Sequence, residues 1–273
     1  MTPNNFSLRE ATTDDIPALL SLLLTSFRRF PLFDILYEPL HTNLDHASDT
    51  IYFWRWRLKS SLLNNPSAVI VVAEVDHSVE IPLDLPASSE ILQIDRDSWD
   101  MLRWVISTAG LSQCTKVNGK TVVGFAIWKW EGIVGEYKEG YRGNSMVVRV
   151  EETLMNILSW LYKHFYTRKD QNVPLYKEYL LSETEMEKQY HRGSFLLLDN
   201  LCTDFRMMGL GIGTALVRWG IESASAKGVP IRTETTENNQ AFYEKLGFLK
   251  IGEWIMSNVS DGVDMTLPIM EWI

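Results

Sequence analysis

Arg206-Met207-Met208-Gly209-Leu210-Gly211-Ile212-Gly213 places three glycines and an arginine between an apolar run and a helical pattern. A strand that ends in such a turn and feeds a helix leaves backbone N–H groups unpaired at the positive end of the helix dipole. An anion can sit there. Glycine lets the backbone approach a ligand without an intervening Cβ, and Arg206 brings a charge that does not titrate. A pyrophosphate fits this description better than a lone carboxylate. The turn is not a P-loop, because no Gly-Lys-Ser/Thr follows, and it is not the dinucleotide fingerprint, because Thr214 stands in the place of the third glycine. Taken alone, the three glycines would serve helix packing or a tight turn equally well.

Around the turn lie groups that can move protons. Asp199 interrupts the apolar run from Ser194 to Cys202, and desolvation there is expected to raise its pKa; the plainer role is a strand-end carboxylate bonded to backbone. Glu234 lies in the next strand candidate and Glu237 follows it. The five histidines, His41, His46, His77, His164 and His191, show no metal-ligand spacing, and no metal is expected.

Phe6 to Arg9 is a strand, and Thr12-Thr13-Asp14-Asp15 caps a helix running to about Arg28, with Ile16, Leu19, Leu20, Leu23 and Phe27 as its buried stripe. A second helix, Thr50 to Leu63, carries Trp54, Trp56 and Leu58. Val69–Val75 and Thr121–Trp130 are β-branched and apolar and are predicted to pair. Between them a helix is expected from Asp97, with Trp99, Leu102, Val105 and Ile106. Glu136 to Asn144 is polar, and Val147 to Phe165 traces one helical face. Glu178 to Gln189 is a charged helix or loop, with Glu183, Glu185 and Glu187 read as an exposed face. Ser194–Cys202 is a buried strand. The helix after the turn ends at Lys227-Gly228 with Pro230 beyond. A strand (Pro230 to Thr236), a short helix (Asn239 to Leu246) and two strands (Phe248 to Met256, Val263 to Ile269) close the chain.

Composition bounds the function. The chain has 273 residues with 45% hydrophobic and 22% charged, as expected of a folded globular protein. One domain is expected over 1–273, with insertions at about 76–120 and 132–193. The first residues lack a signal-peptide pattern and no stretch reaches the roughly 18 apolar residues of a membrane span, so a cytoplasmic protein without a membrane partner is expected. A net charge of -9 argues against a nucleic-acid partner and suits a cationic substrate such as an amine. Cys114 and Cys202 are the only cysteines, with no disulfide framework or zinc spacing.

With these motifs the sequence resembles the GCN5-related N-acetyltransferase (GNAT) family, whose coenzyme A motif is Gln/Arg-x-x-Gly-x-Gly/Ala at the start of a helix after a central strand. Arg206-Met207-Met208-Gly209-Leu210-Gly211 matches it in full. The opening Leu8-Arg9-Glu10-Ala11-Thr12-Thr13-Asp14-Asp15, the later Ala241-Phe242-Tyr243-Glu244-Lys245-Leu246-Gly247-Phe248 and the closing Asp264-Met265-Thr266-Leu267 agree in the family's order. The resemblance implies an α/β (α+β) fold: a mixed, largely antiparallel central sheet flanked by helices, with the coenzyme A turn between a central strand and the next helix. Thr203 stands where the family often has proline, and Thr236 replaces an asparagine, for which Asn238 and Asn239 lie nearby.

The resemblance also implies a reaction, transfer of an acetyl group from acetyl-coenzyme A to a primary amine of a small molecule. An alkyl ammonium with pKa about 10.4 must first lose a proton. Asp199 is the first candidate base, then Glu234. The backbone N–H of Leu201 is expected to hold the acetyl oxygen. Coenzyme contacts continue through Thr203 and Arg206 to Thr214, taking in Met207, Met208, Gly209, Leu210, Gly211, Ile212 and Gly213, with Asn238, Asn239 and Phe242. Tyr243 falls on the family's tyrosine, a phenol with pKa about 10 that can protonate the departing thiolate. An acetyl-cysteine route through Cys202 is the lesser possibility. Trp54, Trp56, Trp128 and Trp130 lie on elements that border the acceptor side in the family. The alternatives are acetylation of a protein or peptide amine, a non-catalytic coenzyme A-binding relative, and a dinucleotide oxidoreductase.

Overall fold

The computed structural model describes residues 6–27, 31–37, 47–63, 67–76, 116–117, 119–132, 150, 153–154, 156–158, 160–161, 168–260 and 263–273. The strands are β1 (Phe6–Glu10), β2 (Ala68–Asp76), β3 (Lys116–Val117), β4 (Lys120–Glu131), β5 (Phe195–Thr203), β6 (Ile231–Glu234), β7 (Leu249–Ser260) and β8 (Val263–Trp272). They form one sheet in the order β1-β2-β4-β5-β6-β8-β7, with β3 against β4. Every pairing is antiparallel except β5 with β6. The helices are α1 (Ile16–Phe27), α2 (Pro31–Leu36), α3 (Ala47–Leu63), α4 (Val173–Tyr190), α5 (Ile212–Lys227) and α6 (Glu237–Glu244). The expected pairing of Val69–Val75 with Thr121–Trp130 is present as β2 against β4.

The two faces of the sheet bury separate cores, as strand periodicity requires of a sheet covered on both sides. On one face Ile70, Val72, Phe125, Ile127 and Cys202 meet the apolar sides of α1 and α3. On the other, Val71, Ala73, Ala126, Trp128, Leu196 and Leu198 meet Ile212, Leu216 and Val217 of α5. Burial of Phe195 to Leu198 explains the apolar run that opens β5. The start of α1 is fixed by Asp15, which is fully buried, accepts both Nη groups of Arg9 at 2.7 and 2.8 Å, and accepts the Thr12 N–H at 2.7 Å.

Helix α5 lies close to the strands beneath it because two glycines permit it. A Cβ on Gly220 would meet the Trp128 ring at 2.2 Å, and one on Gly124 would meet Ile212 Cγ2 at 2.9 Å. Real Cβ atoms do not approach so closely, so these glycines set the height of α5 above β4. At its far end Gly228 closes the helix in the left-handed conformation, as the Lys227-Gly228 signal predicts.

Helix α4 is more deeply engaged than its charged sequence suggests. Trp254 Nε1 on β7 donates to Ser182 Oγ at 2.7 Å, and Met186 is buried. Glu185 and Glu187 are exposed as expected, but Glu183 turns inward and accepts from Tyr179 Oη at 2.8 Å. The described residues between 150 and 161 are helical. The predicted helix from Asp97 and the polar stretch Glu136 to Asn144 lie outside the described residues.

Candidate active site

The parallel pairing of β5 with β6 is short. Leu196 pairs with Ile231 and Leu197 with Arg232, and there the ladder stops. Thr233 Oγ1 donates to Leu198 O at 3.0 Å, closing the joint. Beyond it β5 continues to Thr203 along β4, and among the described residues no strand lies beside the other edge of Asp199–Thr203. β5 also carries a bulge at this level. Trp128 pairs with Leu198 and Ile127 with Asn200, leaving Asp199 as the extra residue. The sheet thus opens at its middle, between the strand holding Asp199 and Leu201 and the strand holding Glu234.

The glycine-rich turn closes the far end of this opening. Phe205–Met207 makes one 3-10 turn capped by Asp204, whose Oδ1 accepts the Arg206 N–H at 3.0 Å. Gly209 and Gly211 then adopt φ of 79° and 83°, in the left-handed region that favours glycine. Gly211 is the N-cap of α5 and supplies no side-chain cap, so the first N–H groups of the helix lack intrahelical partners. A Cβ on Gly209 or Gly211 would meet nothing within 4 Å, and Met208 to Gly211 are exposed. Leu210 is exposed, Ile212 is buried and Thr214 is half-buried. An open ring of glycine backbone before an uncapped helix is a fit for a pyrophosphate.

Arg206 is paired within the turn. Its Nε and Nη2 fork onto Asp204 at 2.9 and 2.5 Å, and that carboxylate raises the guanidinium pKa. The charge is therefore compensated within the turn, and the backbone N–H groups of α5 are left as the principal anion donors. The i, i+2 spacing of Asp204 and Arg206 is the sequence signal for this fork.

The second wall comes from α6. Phe242 lies 3.6 Å from where a Cβ of Gly213 would stand, and Thr203 Cγ2 lies 3.8 Å from the same point. Thr203, Gly213 and Phe242 thus meet at the opening. Asn238 and Asn239 are exposed on the first turns of α6, where the Asn239 N–H donates to Thr236 O at 2.9 Å. Tyr243 is buried, with Phe242 and Phe248 rings at 5.0 and 5.4 Å. Burial pushes the Tyr243 phenol well above its ordinary value, with the nearby Thr233 side chain acting the other way. It stays protonated throughout the physiological range.

Asp199 requires a correction. The expectation of a raised pKa rested on desolvation alone, and desolvation is indeed the largest single influence. It is outweighed by Lys129, whose Nζ lies 2.7 Å from Asp199 Oδ1, by the charge of Arg57, and by Asn200 Nδ2 donating at 2.8 Å. The net shift is downward. A carboxylate held ionised by two cations is a poor proton acceptor.

Glu234 has a different partner, which sequence spacing did not reveal. His191 Nε2, at the end of α4, lies 2.7 Å from Glu234 Oε1, and the His191 ring packs 5.1 Å from that of Phe195. The side chains of His191 and Glu234 are 10% and 20% exposed, so the pair is sheltered yet open to solvent. No sequence motif links residues so far apart; the register of β6 brings them together.

Cys202 is buried on the α1 face, and burial pushes its thiol up to about 12. It remains protonated, which removes the thiolate that an acetyl-cysteine route needs. Trp128 and Trp130 belong to the α5 core, while Trp54 and Trp56 lie on the α3 side. Among the described residues no cluster of three or more metal-binding side chains occurs, and no helix is long and apolar enough to cross a membrane.

Residues 156–248 match the acetyltransferase (GNAT) family. No curated protein sequence gives a significant match. Among solved structures, a Corynebacterium glutamicum protein described as histone acetyltransferase HPA2 and related acetyltransferase is similar at a TM-score of 0.51, with 15% identity over 98% of this chain and 96% of that one. A mosquito arylalkylamine N-acetyltransferase like 5b gives 0.44, with 15% identity over 98% and 99% of the two chains. A Staphylococcus aureus Mu50 N-acetyltransferase also gives 0.44, with 14% identity over 98% of each. The family match spans the turn and the opened strands, and the fold of the whole chain is shared with the Corynebacterium glutamicum protein.

Proposed function

We propose that the chain moves an acetyl group from acetyl-coenzyme A to the primary amine of a small molecule by direct transfer, within a single domain whose inserted segments border the acceptor. Three features support this reading: the uncapped start of α5, the edge of β5 from Asp199 to Thr203 that no described strand pairs, and α6, whose Phe242 meets Gly213 and Thr203 and packs against Tyr243. The turn from Arg206 to Thr214 takes the pyrophosphate through backbone N–H groups. Thr203, Phe242 and the neighbouring Asn238 and Asn239 border the arm that runs from it, and the Leu201 N–H holds the acetyl oxygen.

The proton inventory assigns the remaining groups. An acceptor ammonium must lose one proton before its nitrogen can attack. Glu234 takes that role, with His191 bonded to it as a positioning residue and outlet for the proton. Asp199, already committed to Lys129, holds charge rather than moving it. Tyr243, protonated at neutral pH, hands its proton to the leaving sulfur. A neutral phenol cannot repel the developing thiolate, and its burial keeps water from competing.

Thermal shift with acetyl-coenzyme A, followed by free-thiol release with a panel of small amines, tests the proposal. Stabilisation together with amine-dependent thiol release is expected. Stabilisation without release for any small amine, but with release for a peptide amine, would transfer the reading to a protein acceptor. Stabilisation without release for either would leave a coenzyme A-binding relative, and stabilisation by NADP alone would overturn the coenzyme site.

A further inference from the structure

The face of the sheet opposite α5 carries a group of charged and aromatic side chains that the transfer chemistry does not use. Lys129 and Asp199 lie there at 2.7 Å, still 19% and 15% exposed. Tyr179 and Glu183 face them from α4, and Tyr179 stacks with Tyr176 at 6.0 Å and lies 5.4 Å from the ring of Trp254. Arg57 enters from α3, half-buried, near enough for Asp199 and Glu183 to act on its charge.

The charges do not cancel pair by pair. Asp199 is hydrogen-bonded by Lys129 and Asn200, and Glu183 by Tyr179. Arg57 has no hydrogen bond or ion pair among the described residues; its guanidinium only lies 5.4 Å from the centre of the Trp54 ring. The same helix holds two further donors without an acceptor there, the buried indole N–H groups of Trp54 and Trp56. One stretch of α3 thus has hydrogen-bond donors in surplus, headed by a planar fork whose geometry matches a carboxylate. A half-buried guanidinium without an acceptor is costly to keep, which points to a partner that arrives from outside.

We infer that Arg57 receives a carboxylate carried by the acceptor, so that the amine acetylated is that of an amino acid. The inference rests on the proposed acetyl transfer. The carboxylate would replace water on the Arg57 fork, while the amine of the same molecule lies toward Asp199 and Glu234 at the opening of the sheet. The rings of Tyr176, Tyr179 and Trp254 favour an apolar or aromatic side chain over a charged one.

The full chain is assayed with acetyl-coenzyme A against matched series: each free amino acid, its amide, and its decarboxylated amine, such as phenylalanine, phenylalanine amide and phenethylamine. The expected result is kcat/KM at least about 10-fold higher for some free acid than for its amide, carried by KM. In Arg57→Gln the acid-to-amide ratio should fall by about 10- to 100-fold, and Arg57→Lys should keep part of it. Coenzyme A binding reports whether each variant is folded; if Arg57→Gln does not fold, the wild-type ratio decides. Amides and decarboxylated amines turned over as well as the acids, or a ratio unchanged in folded Arg57→Gln, would overturn the inference while leaving acetyl transfer standing. No thiol release with any member of any series would overturn both.

Discussion

Lys129 Nζ lies 2.7 Å from Asp199 Oδ1 at the level where β5 carries one residue more than β4. The bulge turns Asp199 toward the α3 face, and the lysine keeps its carboxylate ionised there. Because the folded pKa is lowered, the stabilisation is present above the ordinary aspartate pKa of about 3.9 and is lost as pH falls through the folded value. Lys129→Met should cost about 1–3 kcal/mol at pH 7, a buried-pair penalty discounted for partial exposure. The wild type should hold its advantage over Asp199→Asn down to about pH 4 and lose it below. Denaturant melts at pH 7, 5 and 3 measure both; an advantage that disappears already near pH 6 would mean that Asp199 titrates high and is a base after all.

Gly211 caps α5 with φ 83° and open space where its Cβ would project. Gly211→Asp introduces strain in the left-handed region, a side chain in the path of the pyrophosphate, and a negative charge beside it. Affinity for coenzyme A should fall by about 100-fold or more, while the melting temperature without ligand drops only slightly. Titration calorimetry checks this. Binding that survives the substitution would move the cradle away from the turn.

Much of this arrangement was legible in the sequence because it is local. The strand–turn–helix order around Gly209 and Gly211, the cap at Asp15 and the stop at Gly228 each depend on residues a few positions apart, and each is present. The expectations for Asp199 and Glu183 failed for a common reason. Desolvation can be guessed from an apolar neighbourhood, but Lys129 and Arg57 reach Asp199 only through sheet register and the docking of α3. The inward turn of Glu183 follows from Tyr176, Tyr179 and Met186 sharing a helical face, a period that charge density in α4 concealed. His191 and Glu234 meet through tertiary structure alone. The fork of Arg206 onto Asp204 is local and legible from a partner two residues away.

The thiol of Cys202 is raised from 9.0 to about 12 by burial. Its ionisation is thus disfavoured in the folded chain. The associated stability is fully present below about pH 9 and is lost as pH rises toward 12. Alkylation at pH 8 should be slow in the native protein and fast in denaturant, and Cys202→Ala should retain amine-dependent thiol release within about threefold. An acetylated Cys202 trapped by mass spectrometry would refute direct transfer.

Glu234 and His191 form a sheltered pair where β6 ends. If Glu234 receives the ammonium proton, Glu234→Gln should lower kcat by about 100-fold with little change in coenzyme affinity, and the loss should shrink at high pH, where the free amine is supplied by solvent. His191→Gln keeps a donor to Glu234 but removes the proton outlet, so it should lower kcat less than Glu234→Gln does. Equal loss at every pH would show that Glu234 holds the acceptor without taking its proton.

Tyr243 is buried between Phe242 and Phe248. Tyr243→Phe preserves both ring contacts and removes only the hydroxyl, so the fold and coenzyme affinity should change little. The rate of acetyl transfer should fall by about 100-fold, the range of general-acid catalysis. The loss should be smaller for a donor whose thiol has a lower pKa, because such a sulfur leaves without help. Comparing acetyl-coenzyme A with a more acidic thioester in wild type and variant separates the two contributions. If the loss is the same for both donors, Tyr243 orders the opening rather than protonating the sulfur.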